Sequence, residues 1–287
     1  MLKTNKEQLV QSAVEGPVSP PRARFPYRIK TDGTAVTLPG TGGITYNVQI
    51  GDRASGWVAD HVEPGVSLRD KDEAINGGLN TLACVGNVAT IVSGEAKGDT
   101  GWVTGKHGGI EHVLVWFDKE TREKLSIGDK IRIKSWGTGL ALDEAPEVSV
   151  YNMDPELLEK MPLKIKDGIL EVPIATSVPA HLMGSGIGAA TSHRGDYDIM
   201  TADRDAYKEY GLDKLRLGDL VLLQDCDNQY GRGYLKGAVS IGVVVHSDCV
   251  LTGHGPGVTT LFTSKKPVIK GITSDKANIG YWLGVLR

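Results

Sequence analysis

The feature that most constrains this chain is a repeat. The decapeptide from Lys124 to Ile133, Lys-Leu-Ser-Ile-Gly-Asp-Lys-Ile-Arg-Ile, returns as Lys-Leu-Arg-Leu-Gly-Asp-Leu-Val-Leu-Leu from Lys214 to Leu223. Each copy reads as a tight turn feeding a strand. A second pair lies upstream in the same order: His107-Gly-Gly-Ile-Glu-His112-Val-Leu is matched by His193-Arg-Gly-Asp-Tyr-Asp198-Ile-Met, sharing the pattern H-x-G-x-x-[H/D] before an apolar run. Two ordered anchors favour a degenerate duplication, although Gly-Asp before a strand also recurs in unrelated β proteins. Duplicated units commonly share a core and turn equivalent loops toward one pseudo-axis.

The residues between the anchors fit β structure. Thirty-seven glycines among 287 residues punctuate short β-branched runs, because glycine supplies the positive φ that tight turns need. Strands are expected over residues 88–92, 113–117, 130–134, 220–223, 239–245 and 258–262. Asp32-Gly33 and Asp167-Gly168 have the chemistry of two-residue hairpin turns. Helices should be few: one over residues 3–14, one opening at Asp154-Pro155-Glu156, and one over residues 202–210. The fold class is mainly β, as two pseudo-repeated β units, barrel or sandwich-like. Residues 1–22 form an N-terminal helix and proline-rich arm, 23–160 the first unit, and 161–287 the second unit with most of the site loops. The arm, with Pro17, Pro20, Pro21 and Pro26, suits packing against the body or a second copy, so a homo-oligomer is expected.

A net charge of −3 supplies no basic field for a polyanion, so nucleic acid is not an expected partner. Residues 1–16 lack the apolar core of a signal peptide, and no apolar run reaches the roughly 18 residues of a membrane helix. A cytoplasmic location and no membrane partner are the expectation. Cys84, Cys226 and Cys249 are odd in number and widely spaced, which argues against both a disulfide framework and a paired-cysteine zinc site.

The second half carries most of the candidate chemistry. His193, Asp196 and Asp198 share a polar turn, and Asp225 and Asp227 follow the strand at 220–223. Carboxylate oxygen and imidazole nitrogen are the donors that a divalent cation accepts, and a site with an open position activates water. Aspartates in glycine-rich turns also cap the backbone, which is their commoner role. Gly253-His254-Gly-Pro-Gly257 sets a titratable ring in a segment that a ligand can approach closely. His246 is a weaker candidate at a strand end, and His61 and His181 have no informative context. The loop from Gly184 to Ala190 lacks the spacing of a dinucleotide fingerprint and suits a substrate-hugging turn instead. No phosphate-binding loop or nucleophile elbow is present.

Two resemblances accompany these residues. The whole chain, above all Gly105–Gly109 and Gly253–Thr260, resembles an uncharacterised prokaryotic family known only as a domain of unknown function. Over residues 193–234 it is also partly similar to the acetamidase/formamidase family of β-rich, metal-associated amide hydrolases. Their H-G-G-N-M-D segment is similar to His193-Arg-Gly195-Asp-Tyr-Asp198. Their D-x-H-x-x-x-G-x-G-E is similar to the segment from Asp225 to Tyr234, with Asp227 replacing the family's histidine and Tyr234 its glutamate. Carboxylate in place of imidazole implies a harder site, preferring magnesium, calcium or manganese over zinc.

The resulting reading is a metal-assisted hydrolase of a small polar substrate, such as an amide. His193, Asp198, Asp225 and Asp227 would hold a divalent metal ion (magnesium, manganese, calcium or zinc), with His254 as general base or substrate contact. Gly184, Gly186, Tyr234 and Gly255 would line the small-molecule site. The competing reading is a non-catalytic small-molecule binder or oligomeric structural protein.

Overall fold

The computed structural model describes residues 2–23, 25–186 and 191–287; the end of the 184–190 loop lies outside the described residues. The first half contains β1 (Ser12–Pro17), β2 (Arg28–Ile29), β3 (Ala35–Val36), β4 (Val66–Leu68), α1 (Glu73–Leu82), β5 (Val88–Ile91), β6 (Thr100–His107), β7 (His112–Trp116), α2 (Lys119–Lys124) and β8 (Lys130–Ser135). The second contains β9 (Ser149–Val150), α3 (Pro155–Lys160), β10 (Lys164–Lys166), β11 (Ile169–Ile174), β12 (Thr176–Val178), β13 (Tyr197–Asp198), α4 (Arg204–Glu209), β14 (Leu220–Asp227), β15 (Gly233–Val244), β16 (Gly257–Ser264), β17 (Ile269–Thr273) and α5 (Ile279–Trp282). The chain is mainly β, as its composition of glycine turns and β-branched runs implies.

Two six-stranded sheets dominate. One runs β1-β8-β5-β6-β7-β4; the other runs β12-β14-β15-β16-β13, with β9 added on β16. A small sheet, β10-β11-β17, and the hairpin β2-β3 complete the set. All six expected strands are present. Both expected hairpins form, at Asp32-Gly33 between β2 and β3 and at Asp167-Gly168 between β10 and β11. Asp167 and Gly168 both take positive φ, 51° and 75°, as a two-residue turn matched to strand twist requires.

The helix expected over residues 3–14 does not form. A single 3-10 turn covers Lys6–Gln8, and Ser12–Pro17 pair antiparallel with β8 instead. β1 is an edge strand, and six ladder positions on β8 outweigh the weak helical pattern of Leu9, Val10, Ala13 and Val14. Helix α1 ran the other way. Its two internal glycines masked it, yet Asp72 caps its first turn by accepting from Ala74 N and Ile75 N, and Leu79 anchors it in the core.

The repeated decapeptides fold alike. Gly128 and Gly218 take φ of 91° and 89°, and Asp129 and Asp219 each accept a backbone N–H three residues upstream at 2.8 Å. Strand, helix and strand recur around them, as β7-α2-β8 and β13-α4-β14, so Ile131 and Val221 start equivalent strands. Gly51-Asp52 makes a third such turn, with Asp52 accepting from Gln49 N at 2.8 Å. All three dock identically. The glycine N–H donates to a partner carbonyl and the partner N–H donates to the aspartate carbonyl, the partners being Leu217, Val18 and Val244 for Asp52, Asp129 and Asp219.

One large core crosses the halves. Val85, Leu114 and Met153 are buried in the same cluster as Val221, Ile241 and Phe262, while a second cluster fills the first sheet. The sheets also meet through polar groups, Lys106 N donating to Thr259 Oγ1 and that hydroxyl donating to Lys106 O. The proline arm packs on the body through Ser19 N to Ser67 O and Arg22 N to Thr41 O. No helix among the described residues is long and apolar enough to cross a membrane.

If the Gly-Asp turns carry this architecture, Asp129→Ala and Asp219→Ala should each cost about 1–2 kcal/mol, the penalty for leaving the part-buried Ser126 and Arg216 N–H donors without their carboxylates. Urea unfolding should show lower midpoints with unchanged slope. Losses below about 0.5 kcal/mol in both would mean the turns follow from the strands.

Candidate metal centre

The site lies where the two sheets meet. β6 ends on His107, β15 runs through Val244 toward His246, and β13 delivers Asp198 just after Asp196. The two copies of the histidine-glycine motif touch here. A Cβ added to Gly108 would lie 3.0 Å from Gly195 Cα, and Gly108 N donates to Asp196 Oδ1 at 2.7 Å. His61 arrives from the loop before β4, in the left-handed region at φ 53°, where a non-glycine residue is strained. Four imidazoles result. The ring of His107 lies 4.2 Å from that of His246, and His61 lies 5.0, 5.2 and 5.5 Å from His246, His254 and His107.

Behind the histidines sits Glu63, fully buried. Its carboxylate accepts from His107 Nδ1 and Ser67 Oγ at 2.5 Å, from Gly42 N at 2.7 Å and from His112 Nδ1 at 2.8 Å. Burial alone would raise this carboxyl, but the imidazoles of His112 and His107 hold it well below the usual range. With Nδ1 committed to Glu63, His107 presents Nε2 as its free nitrogen. A carboxylate behind an imidazole is the arrangement that fixes tautomer and ring orientation in metal-binding histidines.

His246 is held the same way. Its Nδ1 lies 2.8 Å from Ser247 O, so the ring donates there and turns Nε2 toward Asp196 Oδ2 at 2.7 Å and Asp198 Oδ1 at 3.4 Å. Both His246 Nε2 and Asp196 Oδ2 are buried, so the pair is shielded from water. Burial would lower the basicity of His246, yet the facing carboxylates push it well above the ordinary histidine value. A buried site that so strongly attracts positive charge accepts either a proton or a cation. Space is reserved there as well: Gly257 pairs with Asp198, and a Cβ at Gly257 would fall 1.8 Å from Asp196 Oδ2 and 2.3 Å from His246 Nε2.

The other oxygen of Asp198 faces His254 Nδ1 at 2.8 Å and His61 Nε2 at 3.7 Å. Beyond His61, Asp60 lies 3.2 Å from His61 Nδ1, accepts from the Cys249 thiol at 3.0 Å and pairs with Arg28 Nε at 3.2 Å. Three donor sets have atoms within 4.8 Å of one another: His61, His107 and His246; Asp196, Asp198 and His246; and His61, Cys249 and His254. A cleft of about 880 Å³ opens onto the cluster, walled by Pro20, Pro21, Gly108 and Gly109, with His61, His107 and His254 on its floor and Arg22 and Arg28 beside them.

Of the residues singled out in the sequence, Asp198 and His254 meet here, while His193, Asp225 and Asp227 do not. His193 packs its ring 4.8 Å from Tyr151, and its carbonyl accepts from the Lys106 ammonium at 2.6 Å. Asp225 accepts from Gly237 N at 2.7 Å in a bulge, and Asp227 accepts from Gln229 N at 3.0 Å. Leu220 pairs with Val243 near His246, whereas Asp227 pairs with Gly233, which sets these aspartates roughly 20 Å away along the ladder. They are turn formers, the commoner part for an aspartate beside glycine. Tyr234 is 72% exposed on β15 at that same far end. Gly184 N holds the Asp198 carbonyl at 2.8 Å and Gly255 abuts Ile199 O, both in backbone packing around β13, while Gly186 lies against the Arg232 side chain. His61, Glu63, His107, His112 and Cys249 had no local signal beyond the repeated histidine-glycine motif, which marked both loops of the site.

Fold and site together define a two-sheet β protein with a buried histidine-carboxylate centre open to a cleft. The chain belongs to the DUF4438 family, a domain of unknown function, whose N-terminal model matches residues 27–159 and whose C-terminal model matches residues 160–283. It is similar over nearly its whole length to the crystal structure of TM1086, with 50% identity, a TM-score of 0.94, and coverage of 98% of this chain and 99% of that one. A search of curated proteins returns no match. Neither likeness is to an acetamidase or formamidase.

Glu63→Gln should destabilise the protein by about 3 kcal/mol, because an amide N–H would face donors that now meet a buried carboxylate. Denaturant titration measures this. A loss under about 1 kcal/mol would mean that Glu63 does not organise the histidines.

Proposed function

We propose that this protein is a metal-dependent hydrolase in which His107, His246, Asp196 and Asp198 bind a divalent ion. The observation that carries the reading is the buried convergence of two carboxylates on one imidazole nitrogen, Asp196 Oδ2 at 2.7 Å and Asp198 Oδ1 at 3.4 Å from His246 Nε2. A cation would take the place of the proton that these carboxylates otherwise hold on Nε2, and the Nδ1 contacts of His107 and His246 fix the nitrogens that would serve it. Two imidazoles and two carboxylates suit a borderline first-row ion, such as zinc or manganese, better than calcium or magnesium.

The chemistry then follows from the donor count. Four protein donors complete a tetrahedral set, so water would enter from the cleft as a fifth ligand, and a bound cation would lower its pKa toward neutrality. The ion, held by these residues, would supply an activated water and polarise a carbonyl, the chemistry that hydrolysis of an amide needs. The cleft is polar at its floor and carries Arg22 and Arg28, which favours a small polar or anionic substrate over an apolar one. His254 lines the cleft beside Asp198, where a substrate would reach it.

Protein purified without added metal or chelator should contain a stoichiometric first-row metal. Chelation should lower the melting temperature and zinc or manganese should restore it, since an ion at a hundredfold its Kd adds about 2.7 kcal/mol. Calorimetry and elemental analysis together decide this; no metal and no shift with zinc, manganese or cobalt would contradict the reading.

Gly257→Ala should weaken metal binding at least about tenfold, as loss of supporting geometry commonly does. Its secondary structure by circular dichroism should stay that of the parent. Unchanged affinity would mean that the ion does not sit between Asp196 and His246.

A further inference from the structure

We propose that the centre holds two metal ions bridged by Asp198, the second bound by His61, Cys249 and His254. The inference rests on the first site described above and adds to it. Asp198 is the pivot. Its Oδ1 lies 3.4 Å from His246 Nε2, whereas its Oδ2 lies 2.8 Å from His254 Nδ1 and 3.7 Å from His61 Nε2. One carboxylate thus faces two groups of donors, and the second group brings three side chains that the first does not use. Single atoms of His61, Cys249 and His254 lie within 4.8 Å of one another, a spread that small side-chain movements close around one ion.

Charge supplies an independent argument. Asp60, Glu63, Asp196 and Asp198 are all buried. Among the described residues, the one permanent cation paired with them is Arg28, 3.2 Å from Asp60. A single dication at His246 leaves an uncompensated negative excess in a poorly solvated site, and a second dication offsets it. Cys249 fits the same account. Its buried thiol donates to Asp60 Oδ1 at 3.0 Å. On metal binding the S–H bond breaks, the proton passes to Asp60 and then to solvent, and the sulfur electron pair forms the S–metal bond.

The second site would therefore present two imidazole nitrogens, one thiolate and one bridging oxygen, a set that selects zinc-like ions over magnesium or calcium. His107 from the first group and His61 and His254 from the second line the cleft, so a substrate would reach both ions. Paired ions about 3.5–4 Å apart clamp the attacking and leaving oxygens of a hydrolytic reaction together.

The test uses the metal alone. Chelator-treated full-length protein is titrated with cobalt(II), following stoichiometry by calorimetry and thiolate-to-cobalt charge transfer by near-ultraviolet absorption. The expected result is two equivalents with a charge-transfer band in the parent, and one equivalent without the band in Cys249→Ser. His254→Ala should also bind one equivalent. One equivalent in the parent, no band, and unchanged stoichiometry in both variants would overturn the second site and leave the first standing. No stoichiometric cobalt in the parent would overturn both.

Discussion

The buried carboxylate of Glu63 organises this molecule. Donors reach it from four places: Gly42 in a loop, Ser67 on β4, His107 at the end of β6 and His112 at the start of β7. Removing a carboxylate from water costs several kcal/mol, and only a full set of charge-assisted bonds offsets that. The consequence is rigidity. The first sheet's edge, the proline arm over it and the imidazole of His107 are fixed relative to one another, with His112 Nε2 meeting Ser19 Oγ at 3.2 Å. A site built on such a support is held to the tolerance that metal binding needs.

On the opposite side the second sheet supplies a mirror of this logic with one difference. Asp196 and Asp198 also face an imidazole, but here two carboxylates converge on a single nitrogen, His246 Nε2. The two histidine-glycine motifs meet at Gly108 and Gly195. One supplies a histidine supported by glutamate, the other a pair of aspartates. Their difference makes the centre, since two identical copies would supply only like donors.

Much of the fold was legible in the sequence because it is local. The turns at Gly128-Asp129 and Gly218-Asp219, the hairpins at Asp32-Gly33 and Asp167-Gly168, and the strands between them follow from side-chain chemistry over four to eight residues. The pairing of β1 with β8 was not, because an edge strand is chosen by its partner rather than by its own pattern. The site divided in the same way. Asp198 and His254 stood out by their glycine-rich surroundings, but Asp225 and Asp227 stood out equally and are turn formers. His61, Glu63 and His107 converge from separate loops and strands, and no spacing within one segment encodes that convergence.

The central claim is that a cation lies between His246 and Asp196. Diffraction from crystals of the metal-loaded protein, at wavelengths on either side of the metal's absorption edge, tests it most directly. The account predicts an anomalous peak about 2.0–2.2 Å from His246 Nε2 and Asp196 Oδ2, with that pair opened beyond its present 2.7 Å. Loaded crystals with no peak there, and with His246 Nε2 donating a well-aligned hydrogen bond to Asp196, would contradict it.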